Sequence, residues 1–287
     1  MNGQAYELAL TEEEIGAVLK FCGQEALLVG GQALAVWAQF FVVAPTGELA
    51  DKITLDVDFV GSRAVANALS AALRWRLYVP SVEDSTPQTA KVSITLPDGG
   101  IKQIDFLKSI AGLDTASIEA RAVDLVLANG AHIRVLHPLD VLESRLRNLD
   151  LLPSKQNSVG RAQMKLAVGV MAKFLRVLLA EESVRVILEA VERVAVIAFD
   201  PRLSQVLLAE GIDLLGEVPA REINSVPFRE RRWPQLLAAQ SRLAKKNAAL
   251  IKRRVRLPEK NAIRPKAPEG QFFFDRKYPQ SDEREML

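Results

Sequence analysis

From Ala26 to Gly47 the chain runs 22 residues without one charged side chain. A stretch that long belongs in a lipid bilayer or at the centre of a protein core. Gly30-Gly31, Gln32, Gln39 and Pro45 punctuate it. A short buried strand over Ala26 to Val29, a turn at the two glycines and a helix account for the pattern better than one lipid-facing helix does. Ala33, Val36/Trp37 and Phe40/Phe41 recur at helical spacing and form one apolar face of that helix. The expectation is a soluble protein with no membrane partner, built around this stretch.

The composition fits that expectation. With 287 residues, 49% hydrophobic and 25% charged, the chain is long enough for two domains, each with its own core, and is too apolar for a disordered polymer. Cys22 is the single cysteine, so neither an internal disulfide nor a thiolate metal site is available. With Met1 to Leu10 lacking a basic leader, a reducing, cytoplasmic compartment is expected. Cys22 reads as a packing residue. His132 and His137 have no third ligand at metal spacing; His132 reads as a strand residue and His137 as the residue opening a helix.

Local signals divide the chain. Thr11-Glu12-Glu13-Glu14 has the capping-box pattern and opens a first helix running to about Cys22. Ile53 to Val60 reads as a strand and Ala64 to Leu73 as a helix. Lys91 to Leu96 and Ile101 to Leu107 are strands joined by Pro97-Asp98-Gly99-Gly100, and Val123 to Leu127 pairs with His132 to Leu136 around Asn129-Gly130. Pro138 suits the first position of a helix reaching about Leu149. Beyond Pro153 only helical periodicity remains, up to Leu250. The expected domains are an α/β (α+β) domain over residues 1–152, an all-helical domain over 153–256, and an extended Pro- and charge-rich tail over 257–287 that carries Phe272-Phe273-Phe274.

The chemistry concentrates in the first domain. Asp56 and Asp58 stand two apart in Thr54-Leu55-Asp56-Val57-Asp58-Phe59, so on a strand both carboxylates face one side. Two unpaired carboxylates side by side repel each other, and a divalent cation with a preference for hard oxygen ligands, Mg²⁺ in particular, removes that cost. Asp105 lies mid-strand, with apolar Ile104 and Phe106 on the opposite face. If the two strands pair, three carboxylates converge, as in a two-metal phosphoryl-transfer site. Gly30-Gly31 between a strand and a helix lets backbone approach a phosphate, and the helix N-terminus presents free N–H groups to it.

Leu28-Val29-Gly30-Gly31, Asp56-Val57-Asp58 and Asp105, in that order, resemble the signature of the nucleotidyltransferase (polymerase β-like) superfamily, and within it the prokaryotic abortive-infection (AbiEii-type) proteins. The resemblance spans about residues 20–180. It implies a nucleotidyltransferase-like mixed sheet with flanking helices, with Asp56, Asp58 and Asp105 as ligands of Mg²⁺ or Mn²⁺. It further implies that Gly30 and Gly31 hold the triphosphate of an NTP substrate, and that Asp105 helps to activate an acceptor hydroxyl. Arg145 stands where such proteins often carry Lys, a point charge replaced by a planar fork. Segment 160–165 keeps basic residues without the acidic pair often seen there. Arg161 and Lys165, four apart on one helix face, are further candidates for nucleotide phosphates, with a solvated basic edge as the alternative.

Charge is distributed unevenly. Residues 1–60 hold nine acids and two bases, whereas residues 220–256 hold eleven bases and two acids. The basic stretch suits a polyanion, so RNA held through residues 229–256 is a candidate acceptor, with Trp233 among Arg229, Arg231 and Arg232 read either as an interdomain contact or as a base-stacking residue. A solvated face that docks on an acidic partner protein or a second copy explains it equally well. The leading expectation is an enzyme that transfers NMP from an NTP to a hydroxyl on RNA or protein. The alternatives are a catalytically silent binding module, such as a toxin–antitoxin component, and an RNA-binding protein whose N-terminal acids only balance charge.

Overall fold

The computed structural model describes residues 6–49, 53–81, 83, 84 and 86–256; the tail from residue 257 lies outside the described residues. The chain is a mixed α/β protein with a helical C-terminal region. It opens with β1 (Tyr6–Glu7) and α1 (Glu12–Cys22). At the start of α1 the Glu14 N–H donates to Thr11 Oγ1 at 3.2 Å and the Thr11 N–H donates to Glu14 Oε2 at 2.7 Å, completing the capping box.

The charge-free run becomes β2 (Leu27–Val29) and α2 (Gly30–Phe40). All of β2 is buried, because it lies between β3 (Val57–Val60) and β8 (His132–Val135). A strand paired on both edges and covered on both faces offers no position from which a charge reaches water. In α2, Ala33, Leu34 and Trp37 are buried, and Trp37 Nε1 donates to the Leu136 carbonyl at 2.7 Å. Phe40, expected on the same apolar face, is instead exposed. The helix ends there, and Phe41 turns inward in its place to stack on Trp37 with ring centroids 5.5 Å apart.

The sheet follows the order β4 (Arg76–Tyr78), β5 (Gln88–Thr95), β6 (Gly100–Leu107), β3, β2, β8, β7 (Val123–Val126), with β1 alongside the beginning of β6. It is mixed: β3 runs parallel to β6 and β2 parallel to β8, while β2–β3, β4–β5, β5–β6 and β7–β8 are antiparallel. Both expected hairpins form. The strand expected from Ile53 is shorter, starting at Val57. Gln163 Nε2 takes the Ile53 carbonyl at 2.8 Å, and the Thr54 side chain folds onto the Asp56 backbone, so these residues leave the ladder.

Alternation gives the sheet two different faces. Ala90, Val92, Ile104, Phe106 and Phe59 are buried on one, which packs against α1 and α3 (Arg63–Leu73); Phe59 and Phe106 stack with centroids 5.5 Å apart. The other carries Asp58 and Asp105. Over its β2–β3 half lies α2, backed by α5 (Pro138–Leu151) and α6 (Ser158–Glu181). Three elements had no clear signal in the sequence: β1, β4, and α4 (Thr115–Ala120), which Asp114 caps. Downstream come α7 (Val184–Phe199), α8 (Leu203–Ala209) and α9 (Trp233–Arg256). Residues through Ala248 form one compact unit, and a second begins at Ala249. Among the described residues no helix is long and apolar enough to cross a membrane.

Candidate functional site

Pairing of β3 with β6 places Asp58 directly beside Asp105 in register. The same row continues across the sheet, with Val29 of β2 beside Asp58, Lys91 of β5 beside Asp105, and Tyr78 of β4 beside Lys91. Paired residues on adjacent strands share a face, so Asp58, Asp105, Lys91 and Tyr78 point the same way. Asp56 precedes β3 by one residue and is partly buried.

The carboxylates are in a costly position. Burial first, then the negative charges of Asp105 and Asp56, push the Asp58 carboxyl up to about 7, against the weaker opposing pull of Arg145 and Lys155. Burial also raises Asp105; the Lys91 ammonium opposes that shift, while Asp56 and Glu7 add to it. Asp105 Oδ1 accepts from Gln88 Nε2 at 2.9 Å and lies 3.7 Å from Lys91 Nζ. Gln88 reaches it because β5 is irregular between Gln88 and Ala90: Gln88 sits opposite Leu107 and Ala90 opposite Phe106. The extra residue, Thr89, brings Gln88 onto the Asp105 face.

The two glycines are required by close approach. A Cβ on Gly30 would lie 2.0 Å from Asp58 Oδ2, and one on Gly31 would lie 2.5 Å from Thr54 Cβ. Gly30 also has φ +68°, a conformation other residues rarely adopt. The glycines therefore seat the Asp56–Asp58 strand against the N-terminus of α2. That N-terminus, packed against Asp58 through Gly30, has no side-chain cap on its first N–H groups.

Arg145 is buried on α5, where its Nη1 donates to Gln163 Oε1 and its Nη2 to Ser144 Oγ, both at 3.2 Å. Its Nε has no partner. Burial lowers its pKa, with Asp58 opposing. Since Gln163 also holds the Ile53 carbonyl, α5 and α6 fix the approach to β3 through Arg145 and Gln163. Arg161 is elsewhere engaged, its Nε 2.8 Å from Glu210 Oε1, and Lys165 is exposed on α6. In the basic stretch, Arg232 pairs with Glu192, Arg229 donates to the Ile223 carbonyl, and Trp233 packs against Phe228. Arg231, Arg242, Lys245 and Lys246 are exposed; the side chains of Lys252, Arg253, Arg254 and Arg256 lie outside the described residues.

Reading the sequence alone did not single out Gln88, Lys91, Lys155 or Gln163. Lys91 carried a usable signal, a lone cation on the strand that pairs with the Asp105 strand across a tight hairpin. Gln88 carried none, since its orientation depends on the bulge.

Among the described residues no three His, Cys, Asp or Glu side chains are gathered around one point at metal-binding range. Mg²⁺ needs fewer protein ligands than that, because it retains waters and binds through one or two carboxylates together with substrate phosphates. Adjacent hard oxygen donors with raised pKa values, beside a buried guanidinium with a free N–H, fit a divalent cation carrying an anionic ligand.

Comparison with protein-family models and with curated proteins finds no match. Among solved structures the chain aligns with the crystal structure of JHP933 from Helicobacter pylori at 12% identity, covering 86% of this chain and 100% of that one with a TM-score of 0.30. Agreement at that level carries no argument about fold or function.

Proposed function

We propose that the chain is a divalent-metal-dependent nucleotidyltransferase that moves NMP from an NTP to a hydroxyl acceptor, with the Asp58–Asp105 row as its centre. The observation that carries this reading is the in-register pairing of those carboxylates on parallel strands, with the uncapped N-terminus of α2 packed against Asp58 through Gly30. The resemblance in residue order points the same way.

Asp58 and Asp105, with Asp56 beside them, would hold Mg²⁺ or Mn²⁺, which supplies neutralisation of the carboxylates and polarisation of the α-phosphate. The protein's own groups do the rest. Backbone N–H groups at Gly30 and Gly31 receive the triphosphate. Lys155 and Arg145, both within electrostatic reach of Asp58, offset the gathered negative charge. Gln88 and Lys91 fix one oxygen of Asp105, leaving the other to accept the proton of the acceptor hydroxyl. The acceptor's oxygen, having given its proton to Asp105, bonds to the α-phosphorus, the bond to the bridging α–β oxygen breaks, and pyrophosphate leaves with the electron pair.

A silent binding module is the second reading. It is favoured by Arg145, whose two terminal nitrogens are already committed to Gln163 and Ser144. Incubation with Mg²⁺, cellular RNA and each α-labelled NTP in turn separates the two. The transferase reading expects label on RNA or protein and release of pyrophosphate with the wild type, and neither with Asp58→Asn. Folded wild type that labels nothing with any of the four nucleotides refutes it.

A further inference from the structure

The row containing the carboxylates ends at the sheet edge in an aromatic ring. Tyr78 is 50% exposed on β4, and its register partner is Lys91, which is itself beside Asp105. Adjacent strands lie ~4.8 Å apart, so Tyr78 stands ~10 Å from Asp105 along the row. That is about the separation between a reacting phosphate and a base one nucleotide away. Strand alternation puts Leu77 on the core side of β4 and leaves Arg76 and Tyr78 on the carboxylate face, both exposed. Arg76 pairs in register with Ser93, on the face shared by Lys91 and Gln103.

The ring's setting is specific. Tyr78 Oη donates to Asp84 Oδ2 at 3.3 Å, and Asp84 also takes the Ser81 N–H at 2.8 Å. Asp84, after β4, thus anchors the phenol by its hydroxyl while the residue stays half exposed. A half-exposed aromatic with its hydroxyl tethered, beside two cations on an otherwise polar surface, is the combination that binds a base by stacking and its phosphate by charge.

We infer that Tyr78, with Arg76 and Lys91 beside it, is a nucleobase-stacking subsite that continues from the carboxylate row across the open face of β6, β5 and β4. The inference rests on the nucleotidyl-transfer reading for its geometry. The base comes either from the NTP or from the acceptor strand, and both present the same stacking chemistry.

The test is equilibrium binding to the full chain by fluorescence anisotropy and calorimetry, with Mg²⁺ present, using ATP in one arm and an unphosphorylated oligoadenylate of four nucleotides in the other. Tyr78→Ala is expected to weaken one of these ligands about tenfold, and Tyr78→Trp, with a larger ring, to bind it more tightly than the wild type. The ligand affected names the source of the base. Tyr6→Ala is the control, because Tyr6 is equally exposed at 47% but pairs with Gly100, out of phase with the Asp105 face; it is expected to bind both ligands as the wild type does. Wild-type affinity for both ligands in Tyr78→Ala, or no binding of either by the wild type, overturns the inference. Loss of binding in Tyr78→Ala from a protein that never transfers label leaves the subsite standing and removes only the transferase reading. Label transfer with unchanged KM for both the NTP and the acceptor in Tyr78→Ala does the reverse.

Discussion

Asp140 and the Asp58–Asp105 pair are held away from water in opposite electrical company. Asp140, in the first turn of α5, is fully buried and receives two arginines: Arg121 donates Nε at 3.1 Å and Nη2 at 2.8 Å, and Arg193 donates its own Nη2. Beside them His137 caps α5, its Nδ1 accepting the Leu139 N–H at 3.1 Å. Burial and the Arg193 charge push this imidazole down to about 4. Around Asp140 the anion is neutralised by the protein itself, and the cluster ties α4, α5 and α7 together. Around Asp58 the nearest charges include two more carboxylates, and the guanidinium closest to hand keeps a free Nε. The difference is what the proposed function rests on: a buried charge satisfied from within holds the fold, while a buried carboxylate pushed up by its neighbours is a candidate for ligand binding.

Substitution at the two places is expected to differ most. Asp140→Ala leaves two guanidinium groups without their carboxylate and is expected to cost about 3–5 kcal/mol in urea unfolding. Asp58→Asn removes a repelled charge, so the same measurement without metal at pH 8 is expected to show no loss, or a gain of about 1 kcal/mol. A comparable loss at both positions would erase the contrast. Gly30→Ala follows in size. A left-handed conformation costs a non-glycine residue about 1–2 kcal/mol, and the new Cβ would also displace the Asp58 carboxylate, so label transfer is expected to fall along with stability.

The comparison extends to pH. The folded protein keeps the Asp58 proton up to about 7, whereas an ordinary Asp releases it near 3.8. The Asp58 contribution to stability without metal therefore declines as pH rises from about 4 to 7 and levels off above. His137 has the opposite sign. Its folded value of about 4 lies below the ordinary 6.5, so the His137 contribution declines as pH falls from 6.5 towards 4, opposing the Asp58 contribution over the same range. Each limb is expected to span on the order of 1–3 kcal/mol. Asp58→Asn should flatten the first alone, and His137→Asn, which keeps a capping acceptor, the second alone. The smallest effect is expected at the exposed Arg232–Glu192 pair, where Arg232→Ala should change stability by less than about 1 kcal/mol.

Much of this site was legible in the sequence, for local reasons. Alternation set Asp58 on one face and Asp105 against Ile104 and Phe106, and hairpin chemistry joined β5 to β6 and β7 to β8; Asp56, expected on the same strand face as Asp58, instead precedes the strand. Long-range pairing had no local signature, so the parallel meeting of β3 with β6 stood only as a condition. The bulge that re-aims Gln88 was invisible for the same reason. The strand expected from Ile53 came out shorter because Gln163, 110 residues away, takes its carbonyl. Arg145 was marked as a departure from a pattern; its burial against Gln163 and Ser144 depends on how α5 and α6 pack. Phe40 and Phe41 were equivalent in the periodicity, and where α2 stops decided which of them turned inward.

The central proposal is that the Asp58–Asp105 row binds a divalent cation. It is tested most directly by urea unfolding of the wild type, Asp58→Asn and Asp105→Asn at pH 8, each with and without Mn²⁺. Binding to the folded state alone raises stability by RT ln(1 + [L]/Kd), about 2.7 kcal/mol at a hundredfold excess over Kd. The account predicts a gain of that kind in the wild type and its loss in both variants. No gain in the wild type, or an equal gain in all three proteins, would contradict it.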